Sequence, residues 1–331
     1  MMSLRRSFFA AVALLLAAAA FAGEKEQPDP NTAYTNAKDA GPDYDLQGEY
    51  MGAVKTPDGE IKVGMQVIAL GGGKFRAVGY HGGLPGDGWN GGERPIENGE
   101  SKDGVATFRT EEGAEGTLKD GVVTIEDKDG NEIAQLKKVE RTSPTLGAKP
   151  PEGAIVLFDG KNTEAFEGGG VEDGLLVPQV TSKQKFGDCT LHLEFQLPFM
   201  PYASGQARGN SGCYLQGRYE VQILDSFGLE GKNNECGGIY SVKDPDVNMC
   251  LPPLAWQTYD IDYTAARYEG DKKVKNARMT VKHNGVVVHK DAEIPNGTTA
   301  HPVPEGPNPG PIYLQDHGNP VRFRNIWVVE K

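Results

Sequence analysis

The chain has 331 residues and a formal net charge of −12, from 46 acidic and 34 basic side chains. This charge argues against a nucleic-acid partner and against binding to an anionic membrane surface, because both repel an acidic protein. Gly (44) and Pro (22) are abundant while helix-period runs are scarce, which favours an all-β protein with many turns. The length favours two domains.

The first 22 residues have the pattern of a cleavable export signal. Arg5 and Arg6 precede an apolar run at 8–20 that is too short to span a bilayer, and Ala20 and Ala22 form an A-x-A cleavage site. Elsewhere in the sequence, no apolar run approaches the roughly 18 residues that are needed to cross a membrane. We therefore predict a periplasmic or secreted protein without membrane insertion.

The rest of the chain divides by composition. Residues 23–45 are polar and predict a disordered lead-in, and residues 46–140 predict a small antiparallel β-sheet or barrel. Residues 141–153 contain several Pro and no periodicity, as in a linker, and residues 154–331 predict a two-sheet sandwich. The strands predicted in the first β-domain are 48–54, 62–70, 74–80, 105–110, 115–120, 121–127 and 132–139.

The most informative stretch runs from Arg208 to Tyr240. Between Cys213 and Leu224, apolar residues alternate with polar ones, and a period of two predicts a strand with one buried face and one polar face. The polar face carries acids, amides and Arg, which are groups that bind sugar hydroxyls. A strand face turned to water would show the same alternation. The polar set is Tyr214, Gln216, Arg218, Glu220 and Gln222.

Several long motifs in the second half of the chain occur in an order typical of one family. They are LFDGKN, LHLEFQLP, GNSGCYLQGRYEVQILDS, NECGGIY, NMCLPPLAWQTYDIDYTAAR and LQDHGNPVRFRNIWV. With these motifs, residues 154–331 resemble the 3-keto-disaccharide hydrolase family, which implies a concanavalin A-like jelly-roll sandwich. The sequence departs from the family pattern at Phe166, where a Trp is usual, and at Cys213, where the residue is commonly aliphatic.

The resemblance implies cleavage of sugars oxidised at C3. The ketone acidifies the C2 proton, so that a base can remove it, the C1 aglycone leaves by β-elimination, and water can add back to give net hydrolysis. Such a site needs a base, groups that stabilise the enolate oxygen, and an acid near the leaving oxygen. We predict His317 and Glu220 as the catalytic residues. The sequence identifies no cofactor, although a divalent cation could stabilise the enolate.

Further polar residues are candidates for binding the carbohydrate substrate. His192 and Glu194 have the spacing of metal ligands on one strand face, but a satisfied polar face is the alternative. Trp256 and Tyr259 could form a platform for a sugar ring or belong to the core. The predicted substrate-binding residues are Glu194, Arg208, Asn210, Gln222, Asp225, Glu235 and Gln315.

The four cysteines all lie in the second domain. An even number in an exported chain suggests two disulfides, with Cys236 paired to Cys250 and Cys189 to Cys213 by exclusion. Buried free thiols are the alternative.

Two other functions remain open from the sequence. A non-catalytic carbohydrate-binding module would share the lectin-like fold, because fold does not determine function. A conventional glycosidase would need two opposed carboxylates. The sequence carries no signal that identifies a protein partner.

Overall fold

A computed structural model describes residues 28–56 and 59–331. The predicted export signal lies outside these residues. Within them, no helix has the length and apolar character needed to cross a membrane. The fold is all-β, as predicted, and the described residues contain one short helix, α1 (Pro42–Leu46), and one 3₁₀ turn (Gly205–Ala207).

The N-terminal strands form a closed antiparallel barrel, in which the first strand pairs with both the second and the eighth. Tyr50, Phe75 and Phe108 are among the residues that fill its core. The strands are β1 (Gly48–Thr56), β2 (Gly59–Gly71), β3 (Lys74–His81), β4 (Ile96–Lys102), β5 (Val105–Arg109), β6 (Glu115–Lys119), β7 (Val122–Glu126) and β8 (Glu132–Val139).

One barrel strand was not predicted. Strand β4 has the sequence IENGESK, which contains a single β-branched apolar residue, and none of its residues is fully buried. It pairs with β3 and β5 all the same. Closure of the barrel supplies the pairing energy that the local sequence lacks, which is why propensity alone missed it.

The C-terminal strands form the predicted two-sheet sandwich. They are β9 (Ile155–Phe158), β10 (Phe166–Gly168), β11 (Val171–Glu172), β12 (Leu175–Leu176), β13 (Val180–Phe186), β14 (Cys189–Gln196), β15 (Ser211–Leu215), β16 (Tyr219–Ile223), β17 (Trp256–Thr264), β18 (Arg267–Glu269), β19 (Lys272–Lys275), β20 (Ala277–His283), β21 (Val286–Ile294), β22 (Gly310–Asp316) and β23 (Arg322–Glu330).

The two sheets enclose one apolar core. The five-stranded sheet has the order β10-β13-β22-β15-β16, and the eight-stranded sheet has the order β11-β12-β23-β14-β17-β20-β21, with β9 added beside β23. Leu193 and Phe195 of the larger sheet and Val221 and Ile223 of the smaller belong to the same core cluster. The apolar residues of each strand therefore face inward, and alternate residues face outward.

The stretch from Cys213 to Leu224 is a hairpin rather than the single strand predicted. Leu215 pairs with Tyr219 across the turn residues 216–218. Gln216 and Gly217 both have positive φ, of 55° and 63°. A turn of three residues keeps the alternation in phase, so the sequence shows no break. The predicted outward face survives in the strands, whereas Gln216 and Arg218 belong to the turn.

Residues 28–45 are not the disordered lead-in that their composition predicted. The backbones of Tyr34 and Phe199 exchange two hydrogen bonds of 2.9 Å. The rings of Tyr34 and Tyr44 both pack on Phe199, with centroid distances of 6.0 and 5.4 Å. Two aromatic rings thus tie a polar segment to the sandwich.

The barrel and the sandwich share apolar contacts. Ile68 and Val78 of the barrel and Phe227 of the sandwich belong to one core cluster. Residues 141–153, predicted as a linker, lie against the eight-stranded sheet, where the Ser143 hydroxyl lies 2.6 Å from that of Thr258. The two β-units are therefore in direct contact.

Candidate active site

The outward face of the five-stranded sheet carries polar and aromatic side chains around one carboxylate. Glu220 on β16 pairs with Tyr214 on β15, and Tyr214 pairs with Tyr313 on β22. Paired residues of antiparallel strands project from the same face, so these three side chains are neighbours. The next row of the same face contains Gly212, Gln222 and Gln315.

Glu220 is the only buried carboxylate in the five strands of this sheet, all of which belong to the described chain. Only 2% of the residue is exposed, and its Oε2 accepts a hydrogen bond of 2.8 Å from the Tyr214 hydroxyl. Burial raises the pKa of Glu220 to about 7, although the hydrogen bond from Tyr214 acts in the opposite direction. A carboxyl group with this pKa can both take up and release a proton at neutral pH.

The carboxylate of Glu220 lies directly over Gly212. A Cβ atom at position 212 would be 2.2 Å from Glu220 Oε1, which is far inside van der Waals contact. Glycine is therefore required here by the close approach of the carboxylate. Nothing in the alternating pattern of the sequence indicated this role.

Three of the predicted binding residues join the same face through amide contacts. Gln222 Nε2 and Asn210 Nδ2 both donate to Gln206 Oε1, at 3.1 and 3.2 Å. Gln315 Nε2 donates to the Tyr214 hydroxyl at 3.3 Å. Amide groups that both donate and accept, beside a phenol and a carboxyl, form a surface suited to hydroxyl groups.

His317 lies at the rim of this face. It is exposed and makes no hydrogen bond within the described residues. Asp316 pairs with Ser211, so β22 ends beside the start of β15, and Asn319 Oδ1 accepts a 2.7 Å hydrogen bond from the backbone N–H of Asn210. Two residues beyond Gln315, His317 lies roughly 7 Å along the chain from the amide row.

Arg208 and Asp225 contact protein groups at the boundary with the barrel. Arg208 Nε donates to Asp225 Oδ2 at 2.6 Å, and Nη1 donates to the carbonyl of Ala69 in β2 at 3.3 Å. Asp225 Oδ1 accepts a 3.3 Å hydrogen bond from the backbone N–H of Phe227. Both residues are buried. The contact of Arg208 with Ala69 links the sandwich to the barrel.

Glu235, another predicted binding residue, holds its own loop. Its Oε2 accepts hydrogen bonds from the backbone N–H groups of Gly231 and Lys232, at 2.6 and 3.0 Å. The residues that follow cover the edge of the five-stranded sheet, because the backbone N–H of Tyr240 donates to the carbonyl of Glu220 at 3.2 Å. The contacts of Glu235 therefore order the loop that precedes the residues covering this edge.

Glu194 lies on the eight-stranded sheet, away from Glu220. Its Oε1 accepts a 2.6 Å hydrogen bond from the backbone N–H of Gly147, and its Oε2 accepts one of 2.6 Å from Arg324 Nε. On the same face, His192 Nδ1 lies 2.7 Å from Asp260 Oδ1. These groups hold residues 141–153 on the sheet, and their oxygen and nitrogen atoms are already occupied by protein partners.

The pKa shifts fit this closed network. Burial would raise the pKa of Glu194, but hydrogen bonds from His192, Asn325, Arg324 and Gly147 outweigh it and lower that pKa to about 2. Burial would lower the pKa of His192, but the neighbouring carboxylates of Asp260 and Glu194 raise it instead. Glu194 is therefore a permanent anion, unlike Glu220.

The predicted disulfides are absent from the described residues, which include all four cysteines as buried free thiols. Cys236 Sγ lies 3.2 Å from the Tyr259 hydroxyl, and Cys250 Sγ donates to the carbonyls of Leu224 and Leu251 at 3.6 and 3.5 Å. The prediction from the even count was wrong because each thiol is accommodated in the core as a small, weakly polar side chain. Cys189 and Cys213 are likewise fully buried.

A divalent cation does not fit the groups around Glu220. No three His, Cys, Asp or Glu side chains of residues 28–56 and 59–331 are grouped as metal ligands. Hard divalent cations prefer several carboxylate or carbonyl oxygens. A single carboxyl whose pKa is about 7, beside a phenol, is a weak donor set for such an ion.

Three residues of the site were not predicted. Tyr214 lies on the outward face that the alternation indicated, yet only acids, amides and Arg were considered as candidates. Gln206 belongs to the 3₁₀ turn before β15, and Gly212 is identified only by the close approach of Glu220. The parity of Tyr214 was the one signal in the sequence that could have revealed it.

Comparison with known proteins agrees with the predicted family. The family described as "3-keto-alpha-glucoside-1,2-lyase-like domain" matches residues 153–329, which is more than half of the chain. No curated protein matches the chain. A solved structure named a "putative glycosyl hydrolase" from Parabacteroides distasonis is 37% identical, with a TM-score of 0.50, over 55% of this chain and 85% of that one.

Two further structures with the same description and organism are more distant. They are 19% and 22% identical, each with a TM-score of 0.40, over 54% of this chain and 95% and 99% of theirs. The family match includes Glu220, Tyr214 and the loop that carries His317. From residue 153 to residue 329, the chain belongs to the 3-keto-α-glucoside-1,2-lyase-like family.

Proposed function

We propose that the protein cleaves glycosides that carry a ketone at C3, and that Glu220 is the base that removes the C2 proton. The observation that carries this proposal is the buried carboxyl of Glu220, whose pKa is raised to about 7 and which contacts the Tyr214 phenol. A carboxylate of ordinary pKa would be a weaker base, and a permanently protonated one would be no base at all.

The reaction needs few groups because the substrate ketone performs part of the chemistry. Glu220 takes the C2 proton, and the electron pair of the C–H bond forms the C2–C3 double bond of an enolate. Donors on the same face, the Tyr214 hydroxyl and the amide of Gln222, can stabilise the negative enolate oxygen. The C1–O bond then breaks with loss of the aglycone.

His317 is proposed to protonate the leaving oxygen. Its exposed position at the rim leaves it accessible to an aglycone that extends out of the site, and imidazole is the side chain that most often serves in general acid catalysis. Addition of water to the resulting enone returns the proton to C2 and gives net hydrolysis. The same residues therefore serve a lyase or a hydrolase outcome.

Product analysis on a 3-keto-glucoside and on its unoxidised parent tests the proposal. Only the ketone makes the C2 proton acidic, so we expect rapid release of the aglycone from the 3-keto compound and very slow release from the parent. Equal rates on both compounds would indicate a conventional glycosidase. Binding without turnover, with and without added divalent metal, would indicate a lectin-like module.

We also propose export of the protein, on the basis of the Arg5–Arg6 pair, the apolar run and the A-x-A site. N-terminal sequencing of the protein from the periplasm or the medium should begin at Gly23. Recovery of the uncleaved chain from the cytoplasm alone would contradict this proposal.

A further inference from the structure

A cavity of about 450 Å³ lies between the barrel and the sandwich. One side is formed by α1, the first residues of β1, the last residues of β8 and the segment 140–146. The other side is formed by residues 252–255 and Trp256 at the start of β17. None of the residues around Glu220 lines it, so it is separate from the proposed active site. Its volume is within the range of about 300–1,000 Å³ that is usual for small-molecule sites.

Trp256 gives this cavity an aromatic wall that is held in place. The guanidinium of Arg324 lies 3.9 Å from the centroid of the Trp256 ring. Arg324 Nε in turn donates to Glu194 Oε2 at 2.6 Å. Arg324 covers one face of the indole, and Trp256 is only partly buried where it lines the cavity. The apolar C–H face of a sugar ring packs well on such a surface.

The polar groups of the wall include several without protein partners. The Tyr44 hydroxyl and the carboxylates of Asp45 and Glu140 make no side-chain hydrogen bond within the described residues, and all three residues line the cavity. Gln47 also lines it and is only 3% exposed, yet its Nε2 has no acceptor in the described part of the chain. That atom has almost no accessible surface, so a ligand in the cavity would meet the Tyr44 hydroxyl and the carboxylates of Asp45 and Glu140, which suit the hydroxyl groups of a sugar.

The charges in the wall favour a neutral ligand. Arg141 forms an ion pair with the buried Glu49, at 2.6 Å between Nη2 and Oε1. Lys138 Nζ donates to the backbone carbonyl of Asp45 at 2.6 Å. Charges of both signs thus line the cavity and neither sign dominates. Carboxylates and amides of this kind accept hydrogen bonds from hydroxyl groups without requiring a charged partner.

One backbone feature of the wall is also typical of ligand sites. Leu254 has φ of 68°, a conformation that bulky residues rarely adopt. It is held by a 2.9 Å hydrogen bond from its N–H to the carbonyl of Leu197 and by a 2.7 Å bond from Gln196 Nε2 to its own carbonyl. Strained residues that are fixed by their surroundings are concentrated at binding and catalytic sites.

We propose that this cavity is a second carbohydrate site, which binds a neutral sugar residue on Trp256 through the hydroxyl of Tyr44 and the carboxylates of Asp45 and Glu140. The barrel supplies about half of the wall, so the site gives the barrel a function in holding a glycan. The inference does not depend on the proposed reaction at Glu220.

The three tryptophans of the full chain provide the test, because each indole N–H gives one NMR signal. In a titration of ¹⁵N-labelled protein with cellobiose, the Trp256 signal should shift and reach saturation. The Trp327 indole, which donates to the Ala148 carbonyl at 3.4 Å, and the buried Trp89 indole should not shift. A Trp256→Phe variant assigns the signal.

Two variants and one control make the test specific. Tyr44→Phe and Asp45→Asn should each weaken the affinity roughly fivefold, as expected for the loss of one hydrogen bond. Tyr268→Phe on β18 is the matched control and should have no effect. Glu220→Gln should retain the full response of Trp256, so a failure of the proposed reaction would not affect this result.

Three outcomes would overturn the inference. They are a Trp256 signal that does not move up to the solubility limit of cellobiose, equal shifts of all three indole signals, and tighter binding of glucuronate than of cellobiose. The last outcome would assign the cavity to an anionic ligand.

Discussion

Two glutamates of the sandwich illustrate how the surroundings of a carboxyl determine its chemistry. Glu220 is buried with one phenol as its hydrogen-bond donor, and its pKa is raised to about 7. Glu194 is equally buried but receives several donors, and its pKa is lowered to about 2. Both were candidates from the sequence. Only Glu220 has the affinity for a proton that a base at neutral pH requires.

We expect turnover to follow the ionisation of Glu220. Because the base must be deprotonated, kcat/KM on a 3-keto-glucoside should fall about tenfold for each pH unit below about 7 and level off above it. Glu220→Gln keeps the shape of the side chain but cannot accept the proton, so kcat should fall roughly 10²–10⁴-fold. A Glu220→Gln enzyme with the activity and pH profile of the wild type would exclude this residue as the base.

The same raised pKa predicts a stability cost at alkaline pH. The folded protein holds the proton of Glu220 more tightly than the unfolded chain, whose Glu side chains titrate near 4.5. The stabilising contribution is therefore complete below pH 4.5 and is lost as the pH rises to about 7, a loss on the order of 3 kcal/mol. Glu220→Gln removes this titration. Its Tm, measured by calorimetry, should exceed that of the wild type at pH 8 but not at pH 4.5.

A difference in Tm between Glu220→Gln and wild type that is the same at both pH values would contradict this linkage. Circular dichroism at each pH ensures that both proteins begin folded. Loss of activity together with a gain in stability is the behaviour expected of a strained functional group.

Gly212 offers a test of position rather than charge. Gly212→Ala places a Cβ 2.2 Å from Glu220 Oε1, so the carboxylate must move. We expect a large loss of kcat and a cost of about 1–3 kcal/mol in the free energy of unfolding, as for other overpacked sites. Gly187→Ala is the matched control, because a Cβ there meets no atom within 4 Å. Normal turnover by Gly212→Ala would show that the position of the Glu220 carboxylate is not critical.

At this scale, the sequence predicted part of the site. Alternation placed Glu220 and Gln222 on an outward face, and the structure has them there, with Gln315 beside them. The sequence could not show that Arg208 and Asp225 lie apart from this face, because they bind each other and Arg208 binds the Ala69 carbonyl. Contacts between residues distant in the sequence leave no trace in a local pattern.

Among the elements, the loop between β22 and β23 is the one most directly linked to the leaving group. His317 is exposed there, so His317→Ala should leave the Tm unchanged. If His317 protonates the leaving oxygen, the loss of kcat should be large for a 3-keto-disaccharide and small for a 3-keto-glucoside of nitrophenol, whose anion leaves without a proton. Steady-state kinetics on the two substrates measures the difference, and equal losses on both would assign His317 another role.

The hairpin of β15 and β16 shows what alternation can and cannot reveal about elements. A turn of three residues preserves parity, so the sequence indicated the right faces while it concealed the turn at 216–218. Arg218 of this turn donates to the carbonyls of Pro304 and Asn308, at 2.8 and 3.0 Å, and so faces a loop rather than a substrate. Strand β4 was missed for the opposite reason, since its pairing is decided by its neighbours in the barrel.

At the scale of the whole molecule, the ion pair of Arg208 and Asp225 lies within the sandwich and orients Arg208, whose Nη1 donates to the Ala69 carbonyl of the barrel at 3.3 Å. Arg208→Ala leaves the carboxylate of Asp225 buried without its partner, which should cost about 3–5 kcal/mol in the free energy of unfolding. Denaturant unfolding measures this cost, and KM of the surviving folded enzyme should change little. Lys62→Ala is the control, since its pair with Asp87 is about half exposed and should contribute at most about 1 kcal/mol.

A large rise in KM for Arg208→Ala without a loss of stability would return Arg208 to the substrate site that the sequence suggested.

The fold of the whole molecule was the most predictable level. All-β composition and ordered motifs were sufficient for a barrel followed by a sandwich, whereas the packing of residues 28–45 depends on Phe199, far along the chain.

The segment 141–153 has a consequence for how this molecule could be divided. Family similarity begins at residue 153. Before that point, however, the backbone N–H of Gly147 donates a hydrogen bond to Glu194 and the hydroxyl of Thr145 donates one to Asp260, both on the eight-stranded sheet. A fragment that begins at the family boundary would expose to water the carboxylate of Glu194 and the imidazole of His192, which are both buried in the intact chain. The sandwich therefore includes residues 141–153 as part of its own surface. A recombinant protein in which the barrel is exchanged must keep this segment or replace its hydrogen bonds.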